Sequence, residues 1–185
     1  MFTAMQTTMG MMLCYSTPAI MQVIPAELDN RGYNRQLCAD FSPRVVKMMK
    51  ERHKSRSGIE WKEMDVRDMV GMTDQSVDVA FDKSTMDAMI YGSPWSPPDE
   101  VKHNTGRYLR EVHRVLKDSG IFLYVTFRQP HFMRPLLDID DLWTLDMEVL
   151  SSKGSFDYYG WVIRKASPRK EKLDDRPGEE KPDGK

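Results

Sequence analysis

Apolar residues recur along this chain with two periods, and the alternation between them sets the expected fold. In residues 77–81, Val77, Val79 and Phe81 lie two apart with Asp78 and Ala80 between, the period of a strand. A turn cluster, 73–76, precedes it, and Asp82 and Lys83 end it, with a loop of small polar residues expected beyond. Residues 36–40 (QLCAD) and 59–65 (IEWKEMD) read as two more strands; the imperfect alternation of the second is that of a sheet edge. IFLYVTF, 121–127, is apolar throughout, as a central strand is. Between the strands the period becomes helical. Over 99–117, Val101, Thr105, Tyr108, Leu109, Val112, Val115 and Leu116 share one face, and Gly120 is expected near the helix C-cap. Ser42-Pro43 starts a helix that runs to about His53, and 24–32 reads as the last turns of another, closed by Gly32. The proline-containing stretches 92–98 and 130–135 are expected to break regular structure. Residues 142–150 and 156–164 form two strands around a turn at 151–154. This order predicts an α/β fold: a mostly parallel sheet with helices on both faces and a C-terminal antiparallel hairpin.

The two ends differ from this pattern. Residues 1–22 follow neither period and hold six of the fifteen methionines before position 22. Residues 166–185 contain one leucine and no other large apolar side chain, too little burial to offset the entropy of ordering, so a disordered tail is expected. The expected organisation is an atypical segment 1–22, one domain over 23–165 and a tail over 166–185. A net charge of −1 argues against a nucleic-acid binder working through a basic surface. No apolar run reaches the roughly 20 residues of a membrane helix. Cys14 and Cys38 lack metal-type spacing and read as reduced thiols, so no metal site is expected. The first basic residue is Arg31, which leaves no secretory n-region; the cytoplasm is the expected compartment, with the nucleus as the other.

Candidate chemistry sits at the strand ends. Three strands finish on a carboxylate, at Asp40, Asp65 and Asp82. Open α/β sheets bind ligands beyond the carboxyl ends of their strands, and an acid ending the second strand can accept hydrogen bonds from both ribose hydroxyls of a nucleoside. The passages GYNRQLCADFSPRVVKMM, WKEMDVRDM, VDVAFDKSTMDAM and REVHRVLKDSGIFLYVTFRQPHF, with the closing YYGWVIRK, resemble the seven-β-strand S-adenosylmethionine-dependent methyltransferases. Within them they are similar to the branch that methylates lysine in translation elongation factor 1A. The resemblance implies a Rossmann-like class I fold, S-adenosyl-L-methionine as cofactor and a protein-lysine acceptor, with elongation factor 1A as partner. It implies that Asp40 holds the ribose and Phe41 covers the adenine. It implies further that Asp65, with the Val66 backbone, meets the adenine edge and that Lys83 lies near the methionine moiety. Asp87 and His131 are expected on the substrate side, and Trp95 is expected to pack within its loop.

One feature departs from that pattern. The family carries a glycine-rich turn after its first strand, where small residues let the backbone approach the cofactor. Here the corresponding slot, 16–22 (STPAIMQ), has no glycine but a proline and bulky side chains, and 11–15 (MMLCY) is the candidate to replace the first strand. The first strand is therefore expected to be absent or atypical, the family match to begin at about Val23, and the chain to derive from truncation or altered splicing. A non-catalytic binding domain and a small-molecule methyltransferase are the competing expectations. The dinucleotide fingerprint GxGxxG is absent.

Overall fold

The computed structural model describes the backbone of residues 11–14, 18–150 and 156–166, with side chains from residue 23 onward. Seven strands form one sheet: β1 (Met11–Cys14), β2 (Gln36–Asp40), β3 (Ile59–Glu63), β4 (Val77–Lys83), β5 (Leu116–Thr126), β6 (Trp143–Leu150) and β7 (Tyr158–Lys165). Their order across the sheet is β3-β2-β1-β4-β5-β7-β6. The first five are mutually parallel, and β7 runs antiparallel to both β5 and β6. The expected C-terminal hairpin is thus present, β3 lies at an edge, and β5 is central.

Met11–Cys14 supplies the central strand that the sequence left open. It pairs with β2 on one side and β4 on the other, aligning Cys14 with Ala39 and Asp82. Helix α1 runs over Pro18–Asn30, so the stretch from 24 forms its last turns. Residues 15–17 and 151–155 lie outside the described residues, and with them the turn expected at 151–154 and all of the expected tail 166–185 except Ala166.

The strand period distributes side chains to two faces. Ala39 and Ala80 enter one core with Phe122 and Tyr124, while Cys38 and Phe81 turn to the other. On the first face, α3 (Thr85–Met89), α4 (Asp99–Val115) and α5 (Pro130–Leu137) contribute Met86, Tyr108, Leu109, Val112, Met133 and Leu137. Each such large side chain is worth roughly 1.5–3 kcal/mol when fully buried. On the second face, α2 (Pro43–Arg52) lays Val46 and Met49 against Ile59 and Trp61, with Ile24 and Leu28 of α1 beside them. Ser42 caps α2 by accepting a hydrogen bond from Val45 N at 3.4 Å, and Pro43 opens its first turn. Cys38 is a free thiol enclosed in this second core.

Three local expectations need correcting. The stretch after β4 is not a loop but the short helix α3, because Asp82 accepts hydrogen bonds from Thr85 N at 2.8 Å and Met86 N at 3.0 Å. Gly120 does not cap α4. That helix ends at Val115, β5 starts at Leu116, and a Cβ on Gly120 would lie 2.8 Å from the Leu116 side chain and 3.0 Å from Asp78 O. Pro130 opens α5 rather than breaking the chain, since the first helical turn needs no N–H from it.

Candidate active site

The parallel strands β2, β3 and β4 deliver their carboxyl ends to one edge of the sheet. A cavity of about 320 Å³ lies there, within the range of small-ligand sites. Ala39, Asp40 and Phe41 form one wall, Met64 to Arg67 another, and Thr85, Ala88 and Met89 of α3 a third. The ladder that aligns Asp40 with Glu63 continues one step as a hydrogen bond from Met64 N to Asp40 O, 3.0 Å. This brings Asp40 and Asp65 to the same opening.

Asp40 is the buried anchor of the cavity, only 1% exposed. Its Oδ1 accepts a 2.7 Å hydrogen bond from Ser42 N, while its Oδ2 is enclosed with no partner. Burial raises the carboxyl above its ordinary range, against the opposing pull of the Ser42 N–H. A buried acceptor without a donor is costly, so this oxygen is suited to a donor arriving with a ligand.

Asp65 is held differently. Arg67 donates from Nε to Oδ1 and Oδ2 at 3.0 and 3.2 Å and from Nη2 to Oδ2 at 2.8 Å, and its backbone N–H also reaches Oδ1 at 2.9 Å. Arg67 Nη1 in turn donates to Asn104 of α4 at 3.2 Å. The hydrogen bonds from the Arg67 side chain hold the Asp65 carboxyl below the usual carboxylate range. Arg67 escaped the sequence reading because its link to Asp65 lies across a turn and follows neither period. Replacing it with methionine is expected to weaken adenosine-ligand binding about tenfold and to move the Asp65 contribution to the acid limb upward. Calorimetry across pH checks both.

The wall supplied by α3 rests on Asp82. This carboxyl is fully buried at the end of β4 and takes a third hydrogen bond from Tyr108 Oη at 3.1 Å. Burial pushes it up to about 7, opposed by the N–H donors of Thr85 and Met86. The sequence marked Asp82 as a strand-end acid; in the fold it shapes the cavity without lining it.

Phe41 and Val66 line the cavity, Phe41 being 67% exposed and Val66 buried. Lys83 does not. Pleating sends Asp82 and Lys83 to opposite faces, and Lys83 Nζ sits over the Tyr158 ring, 4.8 Å from its centroid. Asp87 does not line the cavity either, and its Oδ2 is enclosed with no partner. It is buried, with Oδ1 accepting from Tyr124 Oη at 3.0 Å, Thr126 Oγ1 at 2.7 Å and Arg128 Nε at 3.1 Å, so it ties α3 to the end of β5. His131 is exposed on α5, away from the cavity lining, against Phe132 at 3.9 Å and Trp95 at 6.0 Å between ring centroids. Trp95 packs edge-on to Phe132 at 4.8 Å yet stays 80% exposed, so it links its loop to α5 rather than packing within the loop. Among the described residues no cluster of three or more His, Cys, Asp or Glu side chains could hold a metal ion, and no helix is long and apolar enough to cross a membrane.

Residues 23–124 match the family described as a methyltransferase domain. The chain belongs to that family. It is 34% identical to EEF1A lysine methyltransferase 4 of Mus musculus over 136 residues, which cover 72% of this chain and 53% of the mouse protein. It is 29% identical to the eEF1A lysine and N-terminal methyltransferase of Bos taurus over 139 residues, 75% of this chain and 17% of that one. The chain therefore spans about half the length of the mouse relative and a smaller part of the bovine one. The fold superposes on the N-methyltransferase NodS of Bradyrhizobium japonicum, solved in complex with S-adenosyl-L-homocysteine. The TM-score is 0.60 at 12% identity, over 86% of this chain and 79% of that chain. This is the Rossmann-like class I methyltransferase fold, and S-adenosylmethionine is its cofactor.

The cavity fits the nucleoside part of that cofactor. It offers one buried acceptor without a donor at Asp40, a second carboxylate at Asp65 and an apolar floor from Ala39, Met64, Val66 and Met89. The methionine end would extend toward the switch point between β1 and β4, where residues 15–17 lie outside the described residues.

Proposed function

We propose that this domain methylates a lysine side chain of a protein, with translation elongation factor 1A as the acceptor. The observation that carries the reading is the enclosed, donorless Oδ2 of Asp40 in a nucleoside-sized cavity at the carboxyl edge of the sheet. The choice of acceptor draws support from relatives whose names place their activity on EEF1A lysine.

Asp40 takes the ribose hydroxyls and Phe41 covers the open side of the adenine. Asp65, fixed by Arg67, accepts the adenine amino group, with the Val66 backbone beside it. Bound S-adenosylmethionine supplies a methyl group on a sulfonium that leaves readily. The chain's own work is to fix the adenosine so that the methyl projects toward the β4 and β5 ends, and to align an unprotonated amine with it. No general base is assigned: the ammonium loses one proton to water before transfer, and the positive charge then passes from the sulfonium, which leaves as a neutral thioether, to the methylated amine. The domain carrying this chemistry is proposed to run over 23–165, with β1 contributed from the segment before it.

The test is labelled-methyl transfer from S-adenosylmethionine to purified elongation factor 1A, followed by mass mapping of the labelled residue. Label on one lysine, lost when that lysine is changed to arginine and when Asp40 is changed to alanine, is the expected result. Label appearing only in a small-molecule extract would reassign the acceptor. Cofactor binding without transfer to either would favour a non-catalytic binding domain.

A further inference from the structure

A second pocket of about 410 Å³ opens at the same edge of the sheet, on the side of β5 and β7. Its lining is Phe127, Gln129, Phe156, Asp157, Tyr158 and Tyr159. Four of the six are aromatic, and Phe127 and Phe156 are 57% and 90% exposed. Antiparallel pairing of Thr126 with Tyr159 brings the two stretches together. Asp157 is exposed and makes no hydrogen bond or ion pair with the described residues.

Among the described residues, two cations of the chain lie against the aromatic rings of this pocket. Arg128 lies 5.5 Å from the Phe127 ring centroid, but its charge is paired with Asp87 at 3.1 Å. Lys83 Nζ, from the end of β4, sits 4.8 Å from the Tyr158 ring centroid. An alkylammonium of the chain itself thus already makes the contact that aromatic walls offer a cation. Weakly hydrated methylated ammonium groups gain most from such walls, because leaving water costs them less than it costs a primary ammonium.

We propose that this pocket is a binding site for an alkylammonium group, preferentially a methylated one, with Phe127, Phe156, Tyr158 and Tyr159 as its walls and Asp157 as its counter-charge. In the lysine-methyltransferase reading, on which its biological role rests, it would hold a methylated side chain of the protein substrate beside the transfer cavity. The binding itself is independent of that reading. Lys83, outside the lining but over the Tyr158 ring, opposes a second cation there by like charge.

The test titrates the full chain with choline and with its neutral carbon isostere 3,3-dimethyl-1-butanol at constant ionic strength, following backbone amide shifts. Choline is expected to bind about tenfold more tightly than the isostere, with shifts centred on 127–129 and 156–159. Asp157→Asn and Tyr158→Ala are expected to remove that preference, and Lys83→Met to raise choline affinity severalfold. Asp157 lies in an exposed stretch, so its replacement tests the site even if Tyr158→Ala fails to fold. Equal binding of the two probes, shifts centred on 39–41 and 64–67 instead, or no gain in Lys83→Met would overturn the proposal. S-adenosylhomocysteine titrated into the same samples separates the two readings. Cofactor binding without choline binding removes this site alone, and choline binding without cofactor binding removes the transferase alone.

Discussion

Replacing Asp82 with alanine is expected to lower the stability of the domain by about 2–4 kcal/mol, the cost of leaving buried N–H groups without an acceptor. Thr85 N, Met86 N and Tyr108 Oη all donate to this one carboxyl, so its loss uncaps α3 and loosens the α3–α4 contact together. A pH signature separates this role from simple packing. The folded carboxyl is pushed up to about 7, above its value in the unfolded chain. The folded state therefore holds a proton that the unfolded chain releases. The stability this contributes is fully present below the unfolded value and is lost as pH rises through about 7. His53 and His113 act in the opposite sense, since burial lowers both. The Asp82 contribution is thus read as the difference between the parent and Asp82→Ala. Urea unfolding at about pH 5 and about pH 8 should show the gap between them shrinking at the higher pH. A constant gap would mean that Asp82 titrates as an ordinary surface acid.

The second large effect is on ligand affinity. Asp40→Ala is expected to weaken S-adenosylhomocysteine binding by roughly 100-fold or more, since hydrogen bonds to a charged acceptor contribute about 1.5–3 kcal/mol each. Asp40→Asn should lose less, because one acceptor oxygen survives. The two carboxylates at the cavity also predict an asymmetric acid limb. Burial raises Asp40, so affinity should begin to fall at a pH above the ordinary carboxylate range, as Asp40 takes up a proton. Asp65, lowered by Arg67, should stay ionised through that range. In Asp40→Asn the upper limb should vanish and the remaining one lie lower. Calorimetric titration across pH tests this directly.

The strands that deliver Asp40, Asp65 and Asp82 were legible in the sequence because half-buried strands alternate visibly and end at charge, although β3 ends at Glu63 and leaves Asp65 in the turn after it rather than within the expected 59–65. The same period also explains why Lys83 does not line the nucleoside cavity. Alternation within 77–83 puts Lys83 on the face of Phe81, and a resemblance read as a linear motif does not carry that information. Helix α3 was missed because its capping acid belongs to the preceding strand, and five residues are too few to show a period. Helix α5 was missed because two prolines within six residues read as a break, although the first sits where a helix tolerates it. Asp87 shows what a linear motif does not carry: three donors from beyond 120 converge on its Oδ1, and only the tertiary fold brings them there. Residues 11–14 could be offered as a strand from sequence but not placed; their position between β2 and β4 follows from two sets of parallel pairing.

The central claim is that the edge cavity beside Asp40 and Asp65 receives the adenosine of S-adenosylmethionine. The most direct measurement is amide chemical-shift mapping of the full chain during titration with S-adenosylhomocysteine. Saturable shifts confined to 39–42, 64–67 and 85–89 and abolished in Asp40→Ala are the predicted result. Shifts elsewhere, or none at saturating ligand, would contradict it.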